Sequence, residues 1–439
     1  MLDRTQQWRS RARRVGLAGA VAVAATAVAA CGSGTQGDSG GASDSADAGK
    51  VTLTLKHITD NEPAFKKLIA EYKKVAPNVT IQPSYAPVDD LQTSLRAQLG
   101  GGNAPDLFVV WPGNGSAMSV QQLAPAGVLA DISDQSWIKN VPANLRPLLG
   151  NDGKTYMYSS GVTPIGAIYN KKVLADAGVK EPPKTWNELL ATCEKVKAAG
   201  KTCIALGNQT PWITQLIPYA IAPSTAFKQD PNLAQDMLDG KKTFSNSGWR
   251  TVFERYVELD KKGDFNKSPN GTTFEQQQEM VGKGKAAMAI QVTSVATGIQ
   301  DAAADKADIA TFPFPAADNA AELKIPAGVS AGLGASAKGK HLAEAKKFID
   351  WLAQPKQMAE YAIANQSIPL VGAEQAPLGD IAKPFASFLT EGKTVPFMDQ
   401  QWPNAKVQPA HFAGVQELFA GKTDIDGLLA KLDEAYQEK

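Results

Sequence analysis

Residues 161–199 read GVTPIGAIYNKKVLADAGVKEPPKTWNELLATCEKVKAA, and they constrain the fold more than any other stretch. Residues 165–169 have strand character, with Gly166 allowing another backbone to approach closely. Asn170-Lys171-Lys172 turns the chain into a short helix, which Gly178 ends as its C′ residue. Pro182-Pro183 stiffens the next link. Thr185-Trp186-Asn187-Glu188 then spells a capping box, in which hydroxyl and carboxylate each satisfy an orphan backbone donor. Leu189, Cys193 and Val196 share a helical face, and Gly200 stops that helix. Nothing here is catalytic chemistry. The pattern is a joint between an incoming strand and a new α/β unit.

Upstream, residues 51–55 alternate as a strand and lead into a polar loop at 57–62. A helix follows with Phe65, Leu68, Ile69 and Tyr72 on one face, then a strand at 78–81. Leu91, Leu95 and Leu99 mark a second helix, and residues 105–111 are a buried strand. This alternation calls for a mainly parallel sheet covered by helices. Ligands in such sheets sit beyond the carboxyl ends of the strands, which directs attention to residues 57–62 and 111–116. Downstream, an α/β unit runs through 202–206 and helices near 233–238 and 252–259. A turn at 282–285 feeds a small-residue strand, and an amphipathic helix covers 342–353. A body of about 390 residues is too long for one ordinary core and implies two domains.

The first 30 residues are an address. Arg9, Arg11, Arg13 and Arg14 precede an Ala/Val-rich run that ends at Cys31 behind Val28-Ala29-Ala30. The run suits a signal peptide and is short for a spanning helix of about 20 residues. Val-Ala-Ala-Cys is similar to a bacterial lipobox, so 1–30 is expected to be a lipoprotein signal peptide and Cys31 the lipidated residue. Arg13-Arg14 leaves both the general and the twin-arginine export routes open. Residues 32–49 contain only small or polar types and form a tether of roughly 20–25 Å root-mean-square reach. Beyond the signal the charges nearly balance, with no basic cluster, which argues against nucleic acid as a partner. Cys193 and Cys203 remain for an oxidising compartment. A helix–turn–strand unit brings them together as a disulfide, the alternative being two buried thiols.

Enzymatic motifs are thin. Gly328-Val329-Ser330-Ala331-Gly332 matches G-x-S-x-G, with Asp380 or Asp399 and His411 downstream, but a nucleophile elbow needs a buried strand before it and a helix after it. A flexible crossing is the competing interpretation. His57, His341 and His411 have no second ligand at metal spacing, and Gly421-Lys422-Thr423 lacks the earlier glycine of a phosphate loop, so neither metal nor cofactor is expected. Paired carboxylates for glycoside hydrolysis stay open, because their approach is tertiary. Trp186, Trp351, Trp137 and Trp249 fall in helical contexts and suit cores. Trp111, Trp212 and Trp402 fall in loops, where an indole face can serve as a platform for a pyranose while polar neighbours take its hydroxyls.

The order YNKKVLADAG…PPKTWNELL resembles the carbohydrate-binding branch of the extracellular solute-binding proteins that feed ABC importers. A Gly-Lys-Ala-Ala-Met element at 284–288 is similar to one in that family too. The resemblance implies a two-lobe α/β fold of the periplasmic-binding-protein type, with a hinge and a ligand cleft. Lobe 1 would comprise 51–161 and 333–366, and lobe 2 would comprise 162–332 and 367–439, with 31–50 as the lipidated tether. It also implies ligand contacts from Thr59, Asp60, Asn61, Glu62, Trp111, Thr210 and Trp212. The family commonly has a Trp where this chain has Gln291-Val292-Thr293-Ser294, and several members have an acid where Thr163 stands. Gln291, Ser294, Thr163 and the crossing residue Gly332 are therefore carried as candidates, with Trp402 expected to supply the missing platform. The implied function is capture of a di- or oligosaccharide by hinge closure and its delivery to an ABC permease, by a monomer held at the outer face of the cytoplasmic membrane. The competing classes are a receptor for a non-sugar solute such as a polyamine and an extracellular glycosidase.

Overall fold

Two large β-sheets, each with its own apolar core, and a two-stranded hairpin pairing Gly150–Asn151 with Lys154–Thr155 organise the computed structural model, which describes residues 49–438. The expected signal peptide, the acylated Cys31 and nearly all of the tether lie outside the described residues. Among the described residues, no helix is long and apolar enough to cross a membrane.

The first sheet has the order Gly332–Ala335, Leu107–Val110, Val51–Ile58, Val79–Ala86. Its three N-terminal strands are parallel, and Gly332–Ala335 joins antiparallel at the edge. Val79–Ala86 runs longer than the 78–81 expected, because Pro83 sits where an edge strand tolerates a missing donor. Helix Leu342–Leu352 buries Phe348, Ile349 and Leu352, and helix Pro355–Ala364 buries Met358 and Tyr361. These side chains join the same core as Leu53, Phe65 and Val109, so a C-terminal segment completes the first lobe. A fully buried Leu, Ile or Phe side chain contributes roughly 1.5–3 kcal/mol relative to exposure.

Gly161–Asn170 is the spine of the second sheet. Its first half pairs with Ile325–Val329 and with Ile368–Pro369, and its second half pairs with Ala286–Val292 and Ile309–Phe312. The strand is twice the length expected, because its first half also serves as an interlobe crossing. Asn170 then caps helix Lys171–Asp176. Its side-chain oxygen accepts from the backbone N–H groups of Lys172 and Val173, while its amide donates to the Val281 carbonyl. Gly178 ends this helix at φ 72°, a conformation that favours glycine.

At the next helix, Trp186–Ala198, the expected capping box is half formed. The Thr185 hydroxyl accepts from Glu188 N–H, but the Glu188 carboxylate accepts from Lys184 N–H instead of Thr185's. Cys193 on this helix is joined to Cys203 on strand Thr202–Ala205 by a disulfide.

Three chain segments connect the lobes, and they lie side by side. Val162 pairs with Val329 on one flank and with Ile368 on the other, while Ser330 N–H donates to the Gly161 carbonyl. The crossings therefore form a short hydrogen-bonded ribbon.

Candidate ligand-binding site

A cavity of about 340 Å³ lies where the two sheets face each other across this ribbon. Loops at strand ends and three helices supply its walls. From the first lobe come Asp60 and Asn61, then Trp111 and Ser116, and one face of helix Val88–Gly100, presenting Asp89, Gln92 and Arg96. From the second come Trp212, Gln215, Tyr219 and Ser294, with Phe397, Asp399, Gln408 and Phe412. Ser160, Thr163, Ser330 and Ser367 line its floor.

The floor is the hinge. Thr163 Oγ1 is 2.6 Å from Ser330 Oγ and 3.0 Å from Ser367 Oγ, and Ser159 Oγ donates to the Ser330 carbonyl at 2.9 Å. One hydroxyl from each crossing thus meets in a buried chain. Thr163 lines the cavity as expected, yet its hydroxyl is engaged in tying the crossings together. Ser330 has the same duty. Strand Gly332–Ala335 follows it, with no helix, so the strand–turn–helix geometry of a nucleophile elbow is missing.

Of the twelve expected contacts, Asp60, Asn61, Trp111, Thr163, Trp212 and Ser294 line the cavity. Asn61 anchors its amide on the Tyr361 hydroxyl at 3.1 Å, which orients the loop. Trp212 packs edge-on against Phe274 with centroids 5.0 Å apart, which holds the indole at the wall. The other six take structural places. Thr59 and Glu62 are exposed at the helix start, where Glu62 complements the helix dipole. Thr210 accepts from Phe274 N–H through its hydroxyl. Gln291 is fully buried and donates to Gln277 Oε1 at 2.6 Å, and Gln277 in turn donates to the Ala205 carbonyl. Gly332 is a close approach, since a Cβ there would overlap the Tyr158 carbonyl oxygen.

Trp402 corrects the expectation most sharply. It is 5% exposed and sits in the second lobe's core among Tyr219, Phe244 and His411. The single 3-10 turn Met398–Gln401 puts Met398 and Trp402 on its inner side, both buried, while Asp399 faces the cavity. In this loop the residue that lines the cavity is Asp399, three positions before Trp402.

Burial sets the cleft's electrostatics. Desolvation pushes the Asp399 carboxyl up to about 6, against smaller opposing help from its own backbone N–H, Tyr219 and Gln400. Asp60 keeps accessible surface, but the surrounding walls remove enough water to raise its carboxyl, and the Glu275 charge adds to this. Asp89 is raised by desolvation and by neighbouring Asp90. His57 and His411 are fully buried, and desolvation lowers both to about 3, so they are neutral structural rings at pH 7.

The two lobes touch beyond the floor. Gly113 and Gly115 lie directly on the backbones of Gln400 and Asp399, where an added Cβ at either would overlap a carbonyl oxygen. Between them Asn114 donates to the Pro403 carbonyl at 2.6 Å and accepts from Gln122. Gln400 in turn clasps the Val329 backbone at both N–H and carbonyl. This second contact between the lobes adjoins the hinge ribbon, since Val329 belongs to it.

The model of the bacterial extracellular solute-binding proteins matches residues 56–359. The chain belongs to that family. This solute-binding protein is 24% identical over 395 residues to a multiple sugar-binding protein of Streptococcus mutans serotype c, covering 89% of this chain and 90% of that one. It is 25% identical over 339 residues to the sn-glycerol-3-phosphate-binding periplasmic protein of Escherichia coli K12, with 74% and 75% covered. Among solved structures, a chitin oligosaccharide binding protein superposes with a TM-score of 0.75 at 24% identity, covering 88% of this chain and 98% of that one. The binding protein RafE in complex with raffinose does so with a TM-score of 0.70 at 19% identity, covering 88% and 98%. These likenesses establish the two-lobe periplasmic-binding-protein-like fold.

Proposed function

We propose that this protein is the substrate-binding subunit of an ABC importer, and that it captures a di- or oligosaccharide between its lobes and presents the closed form to a membrane permease. The observation that carries this is the placing of Trp111 from one lobe and Trp212 from the other on the wall of one cavity, where hydroxyls, amides and carboxylates stand among further apolar side chains. Flat apolar faces suit the C–H faces of pyranose rings, and the polar rim suits their hydroxyls. Contacts from both lobes stabilise the closed state over the open one, so ligand binding and hinge closure are one equilibrium. Relatives named for sugar binding support the same assignment.

Residues 51–161 with 333–366 would move as one lobe, and 162–332 with 367–439 as the other. The N-terminal lipid on Cys31 and its tether would hold both near the permease. No covalent step is required, in keeping with a family of binding proteins.

The glycerol-phosphate relative suggests an anionic ligand instead, but three cavity carboxylates stand against the one guanidinium of Arg96. Those carboxylates favour a second reading, a polyamine. A thermal-shift panel separates the cases. Melibiose, raffinose, xylotriose or chitotriose should raise the melting temperature, whereas spermidine and sn-glycerol-3-phosphate should not. Stabilisation by spermidine alone would replace the sugar reading. Release of reducing sugar from an oligosaccharide would replace the receptor with a glycosidase.

A further inference from the structure

The second-lobe wall of the cleft holds hydrogen-bonding capacity that the protein does not use. Gln215, Tyr219, Asp399 and Gln408 all line the cavity. Gln408 Nε2 donates to Gln215 Oε1 at 3.2 Å and to Asp399 Oδ2 at 3.4 Å, both longer than the roughly 2.9–3.0 Å of a well-made bond. Tyr219 Oη and Asp399 Oδ1 are neighbours, yet neither makes a bond of good geometry, although Tyr219 is only 1% exposed. Buried polar groups left short of partners are costly, and such a row gains most from a ligand that completes it.

We infer that Asp399 is a specificity-determining residue of the cleft, its carboxylate and the Gln408 amide oxygen accepting adjacent hydroxyl groups of the bound sugar. The row explains why hydroxyls fit. Gln408 Nε2 is directed at Gln215 and Asp399 within the wall, which leaves its Oε1 as the atom to accept from a ligand in this proposal. Asp399 adds a second acceptor, charge-assisted and therefore stronger than a neutral one. Gln215 accepts within the row, which leaves its amide hydrogens to donate. The wall thus offers two acceptors and one donor, the pattern that a vicinal diol with a neighbouring ring or hydroxyl oxygen completes. Burial without a countercharge has left the carboxyl raised, and incoming donors would relieve that cost. Gly115 seats against the Asp399 backbone, so lobe closure and the placing of this carboxylate are coupled.

This inference rests on the sugar-receptor reading, and its test keeps the two apart. Wild type, Asp399→Asn and Gln408→Ala would be titrated calorimetrically with melibiose, raffinose, xylotriose and chitotriose. The best-binding sugar is expected to lose at least tenfold in affinity in Asp399→Asn and several-fold in Gln408→Ala, with ligand-free melting temperatures kept. Sugar binding in wild type with unchanged affinity in both variants would overturn the assignment of Asp399 and leave the receptor standing. Binding of none of the sugars by wild type would overturn both. Should Asp399→Asn fail to fold, Gln408→Ala decides alone, because it leaves the carboxylate in place.

Discussion

Asp399 and Trp402 occupy one loop and show how a side chain's duty depends on which way a single turn faces. The sequence draws the eye to Trp402, since an indole in a Gln-Gln-Trp-Pro-Asn loop resembles a sugar platform. The turn instead buries it beside Tyr219 and Phe244. Truncation there opens a core cavity, so Trp402→Ala should cost about 3–5 kcal/mol and lower the melting temperature by several degrees. A melting curve matching wild type would return Trp402 to the surface. Asp399 offers a pH signature. Its raised carboxyl takes up a proton in the ligand-free protein as pH falls through about 6, whereas an unfolded Asp does so near 4. The ligand-free fold therefore loses stability from this group as pH rises from about 4 to 6. Sugar donors favour the ionised form, so affinity should strengthen by up to about tenfold between pH 5 and pH 7. Asp60 and Asp89 act in the same direction. An affinity that weakens over that interval would contradict this account of the carboxylates.

At the scale of elements, three helical pairs four or so residues apart build most of the wall that sequence reasoning missed. Gln92 with Arg96, Gln215 with Tyr219, and Gln408 with Phe412 each place neighbours on one helical face. Nothing local distinguishes such a face from an ordinary solvated one, because the opposing lobe that makes it a cleft comes from distant chain. The loops after strands were legible, since sheet topology alone puts ligands there; Asp60 and Trp111 follow from that rule, whereas Trp212 came from its loop context and the family resemblance. The contact of residues 113–115 with 399–403 was not legible either, as its two halves lie nearly 300 residues apart. It makes a clean prediction. Gly115 has no positive φ, so Gly115→Ala meets only the overlap with Asp399, which opening the lobes relieves. The variant should fold normally, scatter as a larger particle and bind sugar at least tenfold more weakly. Wild-type affinity and dimensions would show that this contact is not what holds the closed form.

For the whole molecule, residues 161–170 join everything described. The strand's first half, the return segment near 327–331 and the third near 365–369 form one ribbon, tied by the Thr163, Ser330 and Ser367 hydroxyls. A joint between two units was readable from the strand–helix–Pro-Pro–helix order. That the joint is a three-stranded hinge was owed to family resemblance, because periodicity within one segment carries no record of its partners. The central claim is that sugar is held between Trp111 and Trp212 as the lobes close. Calorimetric titration of wild type and Trp212→Ala with the four sugars tests this most directly. At least one sugar should give saturable one-to-one binding to wild type, weakened at least tenfold in Trp212→Ala without loss of fold. Equal affinity in the two proteins, or no saturable binding of any sugar to wild type, would contradict it.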